Sequence, residues 1–327
     1  MLVLGLQGSP RRKSNTFVLL DRFLQEARSK GCRTIMLEVC RKQILPCKEL
    51  VICEKNGECP LLDDMHDQIY TLLRQADVVV MATPIFFYNV PAQLKALIDR
   101  TQTLWARKYR LALTDPKRSF RKGFVLAQGA TRGKNLFEGL QLTAKYFFDA
   151  IGATPADNLY YWKIEKPGDM AAHPTFSEDV RKAAADLLDP LVQRRRVLFV
   201  DQDGASLAPM AWAFCQSHAG DRIDADFAGI APGKTLQPAM ETSMTAKGID
   251  MGFFRPQSID ELAPAFLPQQ IVVLGADILE TVSSRFAEDQ VEMTAWDLPT
   301  FHARDSERVA QLRDMIEEKV QQTFGAA

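Results

Sequence analysis

Residues 2–20, LVLGLQGSPRRKSNTFVLL, decide the fold of this chain. The apolar run from Leu2 to Leu6 predicts a buried strand, and a small, hydroxylated and basic loop follows it. An apolar periodicity typical of a helix begins at Thr16. A strand, a polar loop and a helix N-terminus form an anion site in doubly wound sheets, because free N–H groups converge there. The alternative interpretation is an ordinary capped helix after a polar loop.

The loop lacks the GxxxxGK[ST] pattern of nucleotide-hydrolysing proteins and the GxGxxG pattern of dinucleotide folds. These two absences favour a mononucleotide phosphate, such as that of FMN, as the anion. The side chains that can add hydrogen-bond donors are Ser9, Ser14, Asn15 and Thr16.

Two further strand ends carry unusual loops. The predicted strand 77–83 runs into PIFFYN at 84–89, where an exposed loop would ordinarily be polar. This apolar loop either folds back onto its own core or forms a bed for a flat ring. A third predicted strand, 123–128, ends in small residues from Gly129 onward, which let a ligand approach the backbone closely.

These strand ends resemble the NADPH-dependent FMN reductase family and its iron–sulfur flavoprotein branch, which share a flavodoxin-like fold. The matching stretches are GSPRRKSNT (8–16), ATPIFFYNVPAQLKALIDR (82–100) and AQGATRG (127–133), within about the first 160 residues. The resemblance implies that the FMN phosphate is held by Ser9, Arg11, Ser14, Asn15 and Thr16. It also implies that the isoalloxazine ring is bordered by Pro84, Ile85, Phe86, Phe87, Tyr88, Asn89 and Gly129.

Four of the cysteines lie in one segment: Cys40, Cys47, Cys53 and Cys59. In a cytoplasmic protein such a group favours metal binding over disulfides. The iron–sulfur branch has four cysteines here, spaced C-x2-C-x2-C-x5-C, but Leu50 stands at the second position of this chain. A four-iron cluster needs four ligands. We therefore predict no metal site and interpret Cys47, Cys53 and Cys59 as remnants, with Cys40 left open as a substitute ligand.

The second half resembles the low-molecular-weight protein tyrosine phosphatases and thiol-dependent arsenate reductases. The resemblance covers residues 196–327, including VLFVDQDGASLAPMAWAF at 197–214 and AWDLPTF at 295–301. That family's loop reads C-x5-R-S, and this chain has Asp201, Leu207 and Ala208 at those positions, with Thr300 in place of the catalytic acid. An aspartate brings a fixed negative charge towards an anion. We therefore predict a domain that is catalytically inactive and serves packing, dimerisation or binding of another ligand.

The length predicts two domains. The two resemblances imply an α/β protein of two doubly wound parallel-sheet domains, the first flavodoxin-like and the second low-molecular-weight phosphatase-like. Their predicted ranges are 1–192 and 193–327. The formal net charge is −1, with the basic excess in the first half and the acidic excess in the second. An excess this mild does not indicate a nucleic-acid partner. No apolar run reaches membrane-spanning length, so we expect no membrane partner and a cytoplasmic protein.

The predicted function is that of an FMN-dependent oxidoreductase. It would move electrons from NAD(P)H, as co-substrate, through the flavin to a small acceptor such as a flavin, a quinone or a metal ion. The alternative is an electron-transfer or redox-sensing flavoprotein whose second domain is a binding or dimerisation module. A third possibility is a binding scaffold in which neither half is active. The resemblance also implies a homodimer.

Overall fold

The structure, a computed structural model, describes residues 1–286 and 291–325. These residues form two compact units, the first made of Met1–Ala112 and Phe120–Val192. The second unit comprises Leu113–Ser119 and the chain from Gln193 onward. Residues 113–119, inside the predicted first domain, therefore belong to the second unit. There the N–H of Thr114 donates to the carbonyl of Gly248 at 2.7 Å.

The first unit contains a five-stranded parallel sheet in the order β2-β1-β3-β4-β5. Its strands are β1 (Leu2–Gln7), β2 (Arg33–Glu38), β3 (Val78–Pro84), β4 (Lys122–Gly129) and β5 (Thr154–Trp162). This order is that of the flavodoxin-like doubly wound fold, so the predicted fold of the first half is confirmed. The three central strands are buried on both faces, which explains their continuous apolar sequence.

Helices cover the two faces of this sheet. They are α1 (Asn15–Ser29), α2 (Cys53–Asn56), α3 (Tyr70–Gln75), α4 (Ala92–Arg100), α5 (Gln102–Tyr109), α6 (Glu138–Ala150) and α7 (Phe176–Val192). A short 3-10 helix, Val39–Arg41, and a π-helical turn, Met65–Ile69, lie before α2 and α3. Helices α1 and α7 pack together beside the sheet and close one core with residues such as Phe23 and Leu188.

The second unit contains a four-stranded parallel sheet in the order β7-β6-β8-β9. Its strands are β6 (Arg195–Asp201), β7 (Ile223–Gly229), β8 (Gln270–Leu274) and β9 (Glu292–Trp296). Its helices are α8 (Leu207–Ala219), α9 (Pro238–Thr245), α10 (Ile259–Phe266), the 3-10 turn Ala276–Ile278, α11 (Leu279–Arg285) and α12 (Ser306–Phe324). The prediction of two parallel-sheet α/β domains is thus confirmed.

None of the helices within residues 1–286 and 291–325 combines the length and the apolar character that a membrane crossing requires.

Candidate functional site

Helix α1 begins at a serine whose side chain closes the first turn. The Oγ of Ser14 accepts the N–H of Phe17 at 3.0 Å, and its carbonyl oxygen accepts the N–H of Val18 at 3.1 Å. This capping leaves the N–H groups of Asn15 and Thr16 without an acceptor in the part of the chain that the structure describes. Both residues line a cleft. Two free donors and the positive end of the helix dipole therefore lie at that cleft.

The cleft lies at the carboxyl ends of β1, β3 and β4, where open parallel sheets bind their ligands. Among the residues predicted from the sequence, those that line it are Ser9, Arg11, Ser14, Asn15, Thr16, Pro84, Ile85, Phe86 and Gly129. The lining residues that sequence reasoning missed are Pro10, Lys13, Gln128, Ala130, Ile164, Glu165 and Pro167. The structure thus brings the three predicted strand ends together at one site.

Two basic side chains lie at the helix end of the cleft. Arg11 and Lys13 are exposed and line it, whereas the exposed Arg12 between them does not. Neither Arg11 nor Lys13 has a carboxylate partner among residues 1–286 and 291–325. Their charges are therefore available to an anion beside the free N–H groups.

The side chain of Asn15 holds a loop that the sequence did not indicate. Its Nδ2 donates to the carbonyl of Lys166 at 2.9 Å, and its Oδ1 accepts the N–H of Met170 at 3.2 Å. The same loop is closed by Asp169, whose Oδ2 accepts the N–H groups of Glu165 and Lys166. These backbone donors lower the pKa of Asp169. Asn15 thus contributes its backbone N–H to the cleft, while its amide positions the cleft's wall.

The floor of the cleft contains an unpaired amide oxygen. Gln128 is buried, and its Nε2 donates to Thr16 Oγ1 at 2.6 Å. Its Oε1 is buried and has no hydrogen-bond partner within the described ranges. An unsatisfied buried polar atom costs about 1–3 kcal/mol, so a ligand that donates to it would stabilise the site. Gly129 follows directly, and a Cβ there would lie 2.6 Å from Leu136 Cδ2.

A phosphorylated flavin fits this donor set. Free N–H groups and two cations at one end suit a phosphate, and the apolar side chains of Ile85, Phe86 and Ile164 suit a ring. The unpaired oxygen of Gln128 can accept from an N–H or O–H of the ligand.

The aromatic loop forms a tight turn that only partly borders the cleft. Phe86 and Asn89 exchange backbone hydrogen bonds of 2.8 and 3.0 Å. The two residues between them, Phe87 and Tyr88, have φ values of 47° and 65°, in the left-handed region. Both are exposed, so the loop does not fold back onto its core. Phe87, Tyr88 and Asn89 do not line the cleft, and the predicted ring bed is limited here to Pro84, Ile85 and Phe86.

The cysteine segment is anchored by a buried ion pair. Arg100 Nη1 lies 2.6 Å from Asp63 Oδ2 and also donates to the carbonyl of Leu45 at 2.9 Å, while Nη2 donates to the carbonyl of Leu61 at 3.0 Å. Arg100 is 1% exposed. Leu45 precedes Cys47 and Leu61 follows Cys59. The contacts of Arg100 with both carbonyls therefore hold the two ends of the cysteine segment together, so that the segment forms a loop.

Within that loop three thiols line a second cavity. The lining includes Cys47, Cys53 and Cys59, together with Leu50. Burial, followed by the neighbouring thiols of Cys59 and Cys47, raises the pKa of Cys53, although a hydrogen bond with Thr103 lowers it. The thiol is therefore disfavoured as a thiolate unless a metal binds.

The donors at this cavity do not fit a four-iron cluster. The cavity lining contains three cysteines and Leu50, whereas a four-iron cluster needs four ligands and a leucine supplies none. Cys40 is no substitute, since its Sγ contacts the carbonyl oxygen of Gly8 at 3.4 Å and does not line the cavity. Nor do the described residues contain any group of three or more His, Cys, Asp or Glu side chains placed to hold a metal ion.

The first half of the chain is similar in sequence to known flavoproteins. Residues 1–160 match the family model described as NADPH-dependent FMN reductase. An iron–sulfur flavoprotein of Methanosarcina thermophila is 30% identical over 199 residues, which cover 60% of this chain and 99% of that protein. An iron–sulfur flavoprotein of Methanocaldococcus jannaschii is 36% identical over 104 residues, 32% of this chain. The chain spans about half the length of that relative, 53%.

Among solved structures, the chain is similar to a protein tyrosine phosphatase. The sequence identity is 14% and the TM-score is 0.36, and the match covers 39% of this chain and 91% of that one.

Proposed function

Because the chain belongs to the iron–sulfur flavoprotein family, we propose that it is an FMN-dependent oxidoreductase. It moves electrons from NAD(P)H through the flavin to a small acceptor, such as a free flavin, a quinone or a metal ion. When bound, FMN would accept a hydride from NAD(P)H and pass its electrons to the acceptor, so the protein needs no acid–base pair of its own. The observation that carries this proposal is the cleft at the three strand ends. One end of it has free N–H groups and two basic side chains at the start of α1, and the other end has apolar side chains.

At the helix end, the residues of this chain bind a phosphate. The N–H groups of Asn15 and Thr16 donate to its oxygens, and Arg11 and Lys13 neutralise its charge. Ser14 keeps the helix start rigid through its cap on Phe17. The donors are therefore ordered before a ligand arrives, which lowers the entropic cost of binding.

At the other end, the chain orients the ring. Ile85 and Phe86 offer an apolar face, while Gln128 offers a hydrogen-bond acceptor at the cleft floor. The loop at 164–167, which Asn15 holds by a hydrogen bond to Lys166, forms a further wall of the cleft through Ile164, Glu165 and Pro167.

The activity is tested by steady-state oxidation of NADH and NADPH with FMN-loaded protein. Free flavin, quinones and ferric ion serve as separate acceptors, and heat-denatured protein with the same FMN content is the control. Turnover that exceeds this control with at least one acceptor supports the proposal. Slow oxidation at the rate of free FMN with every acceptor contradicts it.

An electron-transfer or redox-sensing flavoprotein is the alternative proposal. It predicts that NAD(P)H reduces the bound flavin in a single turnover, while small acceptors fail to sustain further turnovers. A stopped-flow absorbance measurement of flavin reduction, made beside the steady-state assay, separates these two functions.

We also propose a homodimer formed through an apolar surface beside the cleft. Asn89 Nδ2 donates to Thr143 Oγ1 at 2.9 Å, which joins the aromatic turn to helix α6. Phe87 on the turn, and Leu142 and Tyr146 on the helix, are exposed. Large exposed apolar side chains on two adjoining segments favour association. Light scattering should show a dimer that Phe87→Asp converts to monomer; a monomeric wild type would contradict this proposal.

A further inference from the structure

The loop between β6 and α8 closes around a carboxylate of its own. Asp201, the last residue of β6, is 2% exposed. Its Oδ1 accepts the backbone N–H of Gly204 at 2.5 Å. Its Oδ2 accepts the N–H groups of Leu207 and Ala208 at 2.8 and 2.9 Å, at the start of α8. The hydroxyl of Ser206 approaches the same Oδ2 at 3.3 Å.

Converging N–H groups after a parallel strand are the usual means by which a loop binds phosphate. The backbone conformation that produces them is specific here. Gly204 has a φ of 60°, and a Cβ at that position would lie 2.7 Å from the backbone nitrogen of Gly229. A glycine is therefore required where the N–H turns towards Asp201. The loop has the geometry of an anion nest, and the side chain of Asp201 lies inside it.

The rest of the loop leaves little room for a second anion. Asp203 Oδ1 accepts the N–H of Ala205 at 2.9 Å and the hydroxyl of Ser206 at 2.9 Å. Burial and the nearby charge of Asp203 raise the pKa of Asp201 to about 6, against the lowering effect of the three N–H donors. The side chains at the start of α8, Leu207 and Ala208, carry no positive charge to neutralise an incoming phosphate.

We propose that Asp201 is the built-in ligand of an oxyanion loop. Its carboxylate takes the position of a phosphate-sized anion, which keeps the loop folded and excludes external oxyanions from the second unit. The residue type of Asp201 indicated only repulsion of an anion, whereas its hydrogen bonds place the carboxylate inside the loop. Removal of this carboxylate therefore opens a site that binds phosphate or a similar tetrahedral oxyanion.

The test uses the full chain in the presence of excess FMN, so that the first unit's cleft is saturated. Inorganic phosphate is the probe, with chloride at equal ionic strength as the reference. Thermal unfolding and titration calorimetry are measured on wild type, Asp201→Ala and Asp203→Ala. We expect Asp201→Ala to unfold at a lower temperature in chloride and to regain part of the difference in phosphate. Phosphate should not raise the unfolding temperature of wild type or Asp203→Ala to a comparable extent, because Asp201 still fills their loop.

Two results would overturn the proposal. In the first, phosphate raises the unfolding temperature of Asp201→Ala by no more than it raises that of wild type. In the second, phosphate raises the unfolding temperature of Asp203→Ala by as much as that of Asp201→Ala. If Asp201→Ala is insoluble in chloride, recovery of folded protein on refolding in phosphate supports the proposal. If it is insoluble in both, Asp201→Ser replaces it in the same measurement, and the absence of a phosphate gain there counts against the proposal.

Discussion

The side-chain amide of Asn15 donates to the carbonyl oxygen of Lys166 at 2.9 Å, across 151 residues of sequence. This bond, with the one that Asn15 accepts from Met170, ties the start of α1 to the loop after β5. The helix that offers N–H groups to the cleft therefore also positions the cleft's far wall.

Asn15→Ala should weaken FMN binding by loosening that wall. Two hydrogen bonds of about 0.5–1.5 kcal/mol each are lost, so the dissociation constant should rise by about tenfold. Flavin fluorescence titration measures it, and limited proteolysis should show new cleavage near 164–170. Asn158→Ala, on an exposed part of β5, is the matched control and should bind FMN as wild type does. Unchanged affinity and unchanged cleavage in Asn15→Ala would show that the loop is held by other contacts.

The sequence predicted the strands that are buried on both faces, β1, β3 and β4, because each is a continuous apolar run. The edge strand β5 is largely exposed, and β2 is half-buried, so neither carries such a run. The strand ends that bear the cleft could therefore be found, while the wall at 164–167 could not. That wall depends on the contacts of Asn15, which pair residues distant in sequence.

The conformation of the aromatic loop and the contacts of Asp201 could not be predicted from the sequence either. Composition indicated an apolar loop after β3, but the backbone hydrogen bonds between Phe86 and Asn89 turn Phe87 and Tyr88 outward. The residue type of Asp201 indicated a repelling charge. Its actual role depends on where the N–H groups of Gly204, Leu207 and Ala208 point, which only the folded loop determines.

Leu50 should prevent assembly of a four-iron cluster in the wild type. Leu50→Cys adds a thiol to a cavity that already holds those of Cys47, Cys53 and Cys59, and should permit one. Anaerobic purification followed by iron and sulfide analysis tests both proteins, with Leu50→Ala as the control for cavity size. About four iron and four sulfide per wild-type chain would contradict this account.

The turn at Phe87 should be strained by its left-handed backbone. Phe87→Gly should be more stable to urea than Phe87→Ala by about 1 kcal/mol, because only glycine adopts this conformation without cost. The exposed helical residue Lys182, outside the proposed dimer surface, gives the control pair, for which glycine should be the less stable by a similar amount. Equal stabilities of the two Phe87 variants would mean that the turn relaxes at no cost.

The second unit should hydrolyse no aryl phosphate and reduce no arsenate, and Asp201→Cys should not restore either activity. Leu207, Ala208 and Thr300 still lack the groups that would clamp and protonate a phosphate, and losses within a cooperative set are not additive. Cys215 cannot substitute, since burial raises its pKa and keeps it a thiol. Release of phenolate by the full wild-type chain above the no-protein rate, abolished in Asp201→Ala, would refute this prediction.

The most direct test of the central claim compares FMN with riboflavin, which lacks the phosphate, in equilibrium titrations of the purified chain. We predict one FMN per chain, far weaker riboflavin binding, and loss of most of the FMN preference in Arg11→Ala/Lys13→Ala. Each lost charge-assisted bond removes about 1.5–3 kcal/mol, or roughly tenfold or more in affinity. Arg12 lies between the two basic residues in sequence but does not line the cleft, so Arg12→Ala should leave the affinities for FMN and riboflavin nearly unchanged. A chain that binds no FMN after reconstitution, or that binds riboflavin as tightly as FMN, would contradict the account.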